Sequence, residues 1–430
     1  MRGGSCADRR DAAGAGSGGS FMRGNRPVTH RHTASGPPCD SVRHRPTHFF
    51  TRAAAAPSGL LPSNHTDPRG GTVTSHPFAI VVDLDGDGAH PAASVAASHS
   101  ASAAERVRRI AAALGRRAVA AERAGFTAVT FDDPPVPVGA PGSIDAVQRA
   151  AFAAPLTSAI GLIPVVQSVY AEPFHLATQL ASLDLASGGR AGWIVGADPD
   201  VAIAARYGRE PVTATVARRD AADTVEASRV LWDTWEDDAV VRDTDTWRYL
   251  DRDRVHYADF TGRDWSVKGP SIVPRPPQGQ LPIAADASEA SPAGTDITLV
   301  QRTRTVDAVR DAGAQRVWLE LEVVLDRAGR AASDRLATLD AHELWVPRAE
   351  RYVGDAEGLV ALLTRLTGVV DGVRVRPAEI DVDADELGRA VIPALRRAGV
   401  FRSPTAGDTL RTSLGLPVAV NRNTREAVPA

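Results

Sequence analysis

Cysteine is almost missing from this chain, and its placement excludes several kinds of site. The sequence contains two cysteines, Cys6 and Cys39, and both precede residue 76. The rest of the chain therefore offers neither a disulfide nor a thiolate metal site.

Long apolar runs are missing as well: none approaches the ~18 residues of a membrane-spanning helix, and the first residues lack the apolar core of a signal peptide. We therefore expect a cytoplasmic protein without a membrane partner.

Lysine is nearly absent, and no single sign of charge dominates. Lys268 is the only lysine, and all the other residues in the Lys+Arg total of 49 are arginines. The formal net charge is −3, so the chain as a whole gives no indication of nucleic-acid binding. The charge is uneven, because residues 1–75 carry +6 and residues 76–430 carry −9. A mildly acidic main part is compatible with an enzyme.

Residues 1–75 are predicted to form a disordered leader. They are rich in Gly, Ser, Pro, Arg and His and have no apolar period, so they cannot bury enough surface to offset the entropy of ordering. Gly14, Gly16 and Gly19 match G-x-G-x-x-G, but no strand precedes them and no helix follows, which excludes a dinucleotide site. A basic arm of this kind could bind RNA. The simpler interpretation is a dispensable leader, with order beginning just after Val73.

From residue 76 onward, apolar residues alternate between strand and helix patterns. The strand candidates are Phe78–Val82, Phe126–Phe131, Ile160–Val166, Ala191–Val195, a short one near Ile283, Ile297–Val300, Val317–Leu325 and Val373–Val375. The helix candidates are Glu105–Ala124, Glu172–Ser187, Ala214–Trp235, Asp355–Leu366 and Asp385–Ala398. This alternation favours a parallel sheet with right-handed crossovers. Eight strands in series predict an α/β fold, a (β/α)8 TIM barrel over residues 76–430, with insertions.

In such a barrel, the reaction takes place at the C-terminal ends of the strands. The polar residues that follow the strand candidates are Asp83, Asp85, His90, Asp132, Asp133, Gln167, Ser168, Tyr170, Asp198, Asp286, Ser288, Gln301 and Arg302, with Arg374 and Arg376 inside the last strand. They include no compact His–carboxylate metal cluster and no Ser–His–Asp spacing. A cofactor that brings its own chemistry suits this set better than a metal ion does, and we predict no metal site.

Several of these residues also have a structural interpretation, which the sequence leaves open. Asp132 and Asp133 either face the site or cap a turn. His90 is either a site residue or part of a surface loop. Arg374 and Arg376 either hold a phosphate near the eighth strand or are solvated. The side chains interpreted as packing rather than as site residues are His175, Trp193, Trp232 and Trp235.

Several segments resemble the luciferase-like flavin-dependent monooxygenases. The most specific are residues 172–177 (EPFHLA), 180–184 (LASLD) and 187–193 (SGGRAGW). Further matches, in chain order, are residues 231–239 (LWDTWEDDA), 255–257 (VHY), 260–262 (FTG), 267–270 (VKGP), 277–279 (PQG), 352–355 (YVGD), 401–402 (FR), 409–411 (TLR) and 414–417 (LGLP). They are most similar to the branch that contains nitrilotriacetate and dibenzothiophene-sulfone monooxygenases.

This resemblance implies a two-component system. FMN, reduced by a separate flavin reductase, would react with oxygen and a small organic substrate. The resemblance places Asp133 at an acidic flavin contact after the second strand and Arg218 near the flavin phosphate, at the opening of the long helix. The further candidates are Ser168, Tyr170 and Ser288 for the cofactor and His90 for catalysis. We also expect a homodimer and no nucleic-acid partner.

The chain departs from the family at several site positions. Ala171 and Ile194 stand where the family has asparagine, and Ala214, Ala217 and Arg218 stand where it has a His and an Arg-Tyr pair. Residues 285–288 (ADAS) replace a Gln-Ala-Gly-x-Ser loop, and the stretch from residue 294 to residue 352 is shorter than the corresponding stretch in the family. Three hypotheses stay open: an FMN-dependent two-component monooxygenase, a flavin or deazaflavin oxidoreductase that does not oxygenate, and a non-catalytic paralogue that has lost flavin binding.

Overall fold

The computed structural model describes residues 65–66, 72–73, 77–93, 103–133, 144–287 and 294–424. The predicted leader, residues 1–75, therefore lies outside the described residues, apart from an antiparallel pairing of His65–Thr66 with Thr72–Val73. None of the described helices is both long and apolar enough to cross a membrane.

Eight parallel strands close into a barrel, which confirms the predicted fold class. The strands are β1 (Ala79–Asp83), β2 (Ala128–Phe131), β3 (Gly161–Gln167), β4 (Trp193–Gly196), β5 (Ile283–Asp286), β6 (Ile297–Val300), β7 (Val317–Leu325) and β8 (Gly372–Pro377). Each strand pairs with the next one along the chain, and β8 pairs with β1. The sequence prediction located all eight strands to within a few residues.

Helices cover the outside of the barrel. Those among the described residues are α1 (Ala103–Ala124), α2 (Ala146–Ala153), α3 (Pro173–Ser187), α4 (Val201–Arg206), α5 (Ala214–Trp232), α6 (Val306–Asp311), α7 (Ala332–Asp340), α8 (Ala356–Leu366), α9 (Ile392–Arg397) and α10 (Leu410–Ser413). The sequence analysis missed α2, α4, α6, α7 and α10, which are short and have few turns of apolar periodicity. Small antiparallel pairs lie in the predicted insertion, Val240–Asp243 with Arg248–Leu250 and Phe260–Thr261 with Ser266–Val267.

The predicted closing helix, Asp385–Ala398, is only partly an α-helix. Wider π-type turns occupy Ile380–Ala384 and Leu387–Val391, and regular α-helix begins at Ile392. Pro393 at the start of α9 has no N–H group, so it cannot donate the bond that would continue an α-helix through this point. A second difference is an extra strand, Glu350–Gly354, which pairs with the upper half of β7 where the sequence analysis expected only the entry to α8.

The lower half of the barrel lumen is apolar and is closed from below by the C-terminal segment. Leu410, Leu414 and Leu416 pack against inward-facing residues such as Ala79 and Ile194. This C-terminal segment comes very close to the strands. A Cβ atom added at Gly161 would lie 2.6 Å from Leu410, and one added at Gly192 would lie 2.8 Å from it. Glycine at both positions therefore makes room for the C-terminal segment.

Four of the segments that resemble the flavin monooxygenases meet at this lower end, residues 180–184, 187–193, 277–279 and 409–411. Asp184 Oδ1 accepts hydrogen bonds from Ala191 N at 3.1 Å and from Gln278 Nε2 at 2.6 Å. Gln278 Oε1 accepts from Arg411 N at 3.1 Å. Residues at the N-terminal ends of barrel strands serve stability rather than chemistry. The motif residues that meet here therefore hold the lower end of the barrel together.

Arg190, within the same motif, is buried and surrounded by carbonyl groups. Its guanidinium donates to the carbonyl oxygens of Ala154, Thr157, Ile160 and Ser187 and to the hydroxyl of Thr157, at 2.8–3.0 Å. Burial lowers the pKa of Arg190, although Glu122 and Asp184 act against this change. One side chain thus ties the loop between α2 and β3 to the end of α3 and the entry to β4.

Candidate active site

The upper half of the barrel lumen carries charge. Three charged side chains and one hydroxyl group form a buried cluster here. They belong to Asp83 on β1, Thr130 on β2, Glu320 on β7 and Arg374 on β8. Arg374 donates from Nη1 to Glu320 Oε1 at 2.6 Å and from Nε to Thr130 Oγ1 at 3.0 Å, and Thr130 donates to Asp83 Oδ1 at 2.9 Å. Alternate residues of a strand share a face, so Arg374 faces the lumen between the outward-facing Val373 and Val375.

The interpretation of Arg374 as a solvated arginine is wrong. Its side chain is only 5% exposed, and Nη2 lies 3.4 Å from Asp83 Oδ1. Burial opposes the positive charge of Arg374, but Asp83, Glu320 and Asp132 together raise its pKa above the ordinary value. Nearby carboxylates therefore already balance this charge, which leaves Arg376 as the more accessible arginine of β8.

Four charged side chains, Arg376, Asp85, Arg149 and Asp132, lie above the cluster, at the mouth formed by the C-terminal ends of β1–β8. Arg376 Nε is 3.6 Å from Asp83 Oδ2. Asp85 pairs with Arg149 of α2 at 2.6 Å. Burial, with a contribution from the charge of Asp83, raises the pKa of Asp85 to about 6. Burial also raises the pKa of Asp132. The mouth thus presents guanidinium groups next to carboxyl groups that take up protons more readily than usual.

Two donors at the mouth have no hydrogen-bond acceptor among the described residues. They are Arg374 Nη2 and Arg376 Nε, and both atoms are buried. Arg374 Nη2 lies 3.4 Å from Asp83 Oδ1 and 3.9 Å from Asp132 Oδ2, and Arg376 Nε lies 3.6 Å from Asp83 Oδ2. These contacts are ion pairs that lack the geometry of a hydrogen bond. Buried donors without acceptors are rare and costly, so each requires an explanation. A ligand oxygen bound at the mouth would supply the missing acceptor.

A cleft of about 240 Å³ opens beside the mouth, between the ends of β2 and β3 and the helices α2, α3 and α4. Asp133 and Tyr170, two predicted cofactor residues, both line it. The rings of Tyr170 and Tyr207 lie 5.9 Å apart, and the Tyr170 hydroxyl accepts from Val212 N at 3.3 Å. His175 also lines the cleft and is exposed, so its interpretation as a packed histidine is wrong. Asp132 Oδ1 accepts from Asp133 N at 2.9 Å, as a turn cap does.

Ser168 and Arg218, two other predicted cofactor residues, do not line this cleft. Ser168 is buried, and its N and Oγ atoms both donate to Gly196 O, at 2.8 and 3.0 Å, which extends the pairing of β3 with β4. Arg218 is exposed on α5, with Nη2 3.5 Å from Thr215 Oγ1. Ser288 lies outside the described residues. The structure therefore brings Asp133 and Tyr170 together but does not bring Ser168 or Arg218 to them.

His90, the predicted catalytic residue, is buried in the loop after β1. Nε2 is 3.1 Å from Asp340 Oδ1, and Nδ1 accepts from Ala92 N at 3.0 Å. Its ring also packs edge-on against Trp345 at 5.3 Å. Both ring nitrogens are therefore engaged, and His90 holds its loop to the end of α7. Its surroundings are those of a positioning residue, and a catalytic role stays a prediction.

Sequence reasoning missed Thr130, Arg149 and Glu320. Thr130 and Glu320 lie inside strands rather than past the strand ends, where site residues of a barrel are expected. The alternation in residues 317–325 (VWLELEVVL) was the available signal, because it puts Glu320 and Glu322 on one face. The packing interpretation of the tryptophans is confirmed: Trp193 and Trp232 are almost fully buried, and Trp235 is 8% exposed.

The comparison with known families now decides what kind of barrel this is. Residues 92–358, more than half of the chain, match the luciferase-like monooxygenase family. The chain belongs to the luciferase-like monooxygenase family. It is 37% identical over 354 residues to N-acetyl-S-(2-succino)cysteine monooxygenase of Bacillus subtilis (strain 168), a match that covers 63% of this chain and 80% of that relative.

Two further similarities agree with this family assignment. The chain is 28% identical over 353 residues to dibenzothiophene-sulfone monooxygenase of Rhodococcus erythropolis, covering 62% of this chain and 78% of that relative. A solved riboflavin lyase with modified FMN and riboflavin shares the fold, with a TM-score of 0.66 and 18% identity over 79% of this chain and 95% of that one. The predicted family and enzyme class are confirmed, since the relatives are named monooxygenases.

Proposed function

We propose that this luciferase-like protein is the oxygenating component of a two-component monooxygenase, which binds reduced FMN at the barrel mouth and acts on a small organic substrate. A separate flavin reductase and a homodimeric assembly belong to the same proposal. When bound, reduced FMN would supply the electrons that activate oxygen. The chain's part is to hold the isoalloxazine ring and to exclude water from it.

The observation that carries the proposal is the pair of buried donors without acceptors, Arg374 Nη2 and Arg376 Nε. The edge of a flavin ring carries carbonyl oxygens beside an N–H group. Arg376 can donate to such an oxygen, while the carboxyl group of Asp132 can accept from the N–H group. The residues at the mouth therefore suit the ring, and Asp133 and Tyr170 in the adjoining cleft would contact the ring or the substrate.

The first test is flavin binding by the full chain. Under anaerobic conditions, titration with reduced FMN, followed by absorbance, should show saturable binding. The variant Arg376→Met should weaken that binding about tenfold or more, because a hydrogen bond from a charged group is lost. Arg365→Met is the matched control, since Arg365 is exposed and lies in the last turn of α8, which precedes the N-terminal end of β8.

The outcomes of this titration separate the hypotheses. Binding of reduced FMN without consumption of oxygen would favour a non-oxygenating flavin oxidoreductase. An absence of binding to the parent protein would point to a non-catalytic paralogue. Binding that is identical in the parent and in Arg376→Met would show that the flavin ring does not lie against β8.

A second test concerns the phosphate of FMN and Arg218. We propose that Arg218, near the opening of α5, reaches the phosphate from its exposed position, and that affinity therefore falls as salt rises. Arg218→Ala should weaken FMN binding by about 1.5–3 kcal/mol and leave riboflavin, which has no phosphate, unaffected. Equal losses for the two ligands, or no loss for either, would show that Arg218 is simply a solvated helix residue.

A further inference from the structure

A groove on the outer wall of the barrel, remote from the cleft, has the composition of a binding site. It measures about 400 Å³ and lies between α1 and the π-type turns at residues 380–391. Its floor is apolar and deep, since Leu84, Ala121, Phe126 and Ile380 are each at most 6% exposed. This volume is within the range of small-molecule sites, roughly 300–1,000 Å³.

The rim of the groove is rich in arginine, although residues 76–430 as a whole are acidic. Arg116, Arg117, Arg123 and Arg389 line it, together with Asp381 and Asp385. Arg117 is committed to the fold, because it pairs with Asp381 at 2.7 Å and with Asp87 at 3.0 Å. Asp385 pairs with Arg327 at 2.5 Å, and Arg389 pairs with Glu386 at 2.7 Å. Both acidic side chains of the rim, Asp381 and Asp385, are therefore already paired with arginines.

Two arginines of the rim remain available. Within the described part of the chain, neither Arg116 nor Arg123 forms an ion pair. They lie seven residues apart on α1, on one face and about 10 Å apart along the helix axis. Ala120 lies between them and also lines the groove. The result is an apolar groove flanked by two accessible positive charges.

The walls of the groove are held by specific contacts. Arg117 donates to Gly86 O at 2.6 Å, and Ile380 N donates to Asp87 O at 2.9 Å, so the loop after β1 closes one end. Near the other end, a Cβ atom added at Gly388 would lie 2.7 Å from Ala124 Cβ. The glycine lets the two helical segments touch there, while the wider π-type turns leave space between these points. Such turns occur frequently at functional sites.

We infer that this groove binds an amphipathic organic anion, with an alkyl or aromatic body on the apolar floor and a carboxylate, sulfonate or phosphate held by Arg116 and Arg123. Guanidinium groups suit such oxyanions because they donate two parallel, charge-assisted hydrogen bonds. The apolar body accounts for the depth of the groove. The anionic group accounts for two arginines that form no close ion pair among the described residues, although the charge of Arg116 helps to lower the pKa of Asp381. This site is separate from the flavin site of the proposed function.

The test uses two fluorescent probes that differ by one charged group. These are 8-anilinonaphthalene-1-sulfonate and its uncharged parent N-phenyl-1-naphthylamine. In the full chain, the double variant Arg116→Gln/Arg123→Gln should bind the sulfonate about tenfold or more weakly and the uncharged probe as before. Ala120→Phe, which fills the groove from an exposed position on α1, should remove the binding of both probes.

Arg108→Gln/Arg109→Gln is the matched control, because these arginines lie on the same helix outside the groove and are paired with Glu105. It should bind both probes as the parent does. Circular dichroism verifies that every variant is folded, which is expected because all the substituted positions are exposed. Unchanged sulfonate binding in the double glutamine variant, or unchanged binding of both probes in Ala120→Phe, would overturn the inference.

Discussion

Replacing Arg374 by methionine should lower the free energy of unfolding by about 3–5 kcal/mol, as is typical when one partner of a buried ion pair is removed. Methionine approximates the length of the side chain but leaves the buried Glu320 without its cation and Asp83 with Arg376 alone, at 3.6 Å. Thr130 also loses a donor to its hydroxyl, at 3.0 Å in the parent. Chemical denaturation followed by tryptophan fluorescence measures the change, with Arg304→Met as the surface control.

A second variant identifies the cause of this loss. The double variant Arg374→Met/Glu320→Gln should recover part of the stability, because the buried carboxylate that has lost its cation is then neutral. Stability that is not recovered in the double variant would point to lost packing instead.

Arg190→Met should be nearly as damaging, with an expected loss of about 3 kcal/mol or more, because several buried carbonyl groups lose their donor at once. The oxygens of Ala154, Thr157, Ile160 and Ser187 all depend on this guanidinium. Arg190→Lys should recover little of the loss, since an ammonium group is compact and cannot reach acceptors on both sides of the fork. Thermal unfolding of the two variants and the parent gives the comparison.

The position of Arg190 at the lower end of the barrel separates stability from ligand binding. FMN affinity should be unchanged in Arg190→Lys at temperatures where the variant is folded. A selective loss of flavin binding, without a fall in stability, would contradict the assignment of this motif to the structure of the barrel. Full stability in Arg190→Lys would show that the carbonyl groups find other donors.

The sequence by itself determined the fold and the family, for a local reason. Each strand is a short apolar run, and each long helix has its own apolar period, so α1 and β7 could be located from neighbouring residues alone. The family motifs are also short segments, and residues 187–193 (SGGRAGW) form a helix cap, a turn and a strand entry within a few residues. Short elements such as α4 were missed because they contain too few turns to show a period.

Only the tertiary structure decided which polar residues share a site. Arg374 and Thr130 are 244 residues apart in sequence and meet because closure of the barrel pairs β8 with β1 and puts β2 on the far side of β1. The direction of each side chain depends on strand register, and a shift of one residue would turn Arg374 outward. The charged lumen, the cleft at Asp133 and Tyr170, and the arginine-rimmed groove all follow from contacts between distant segments, which no local pattern in the sequence records.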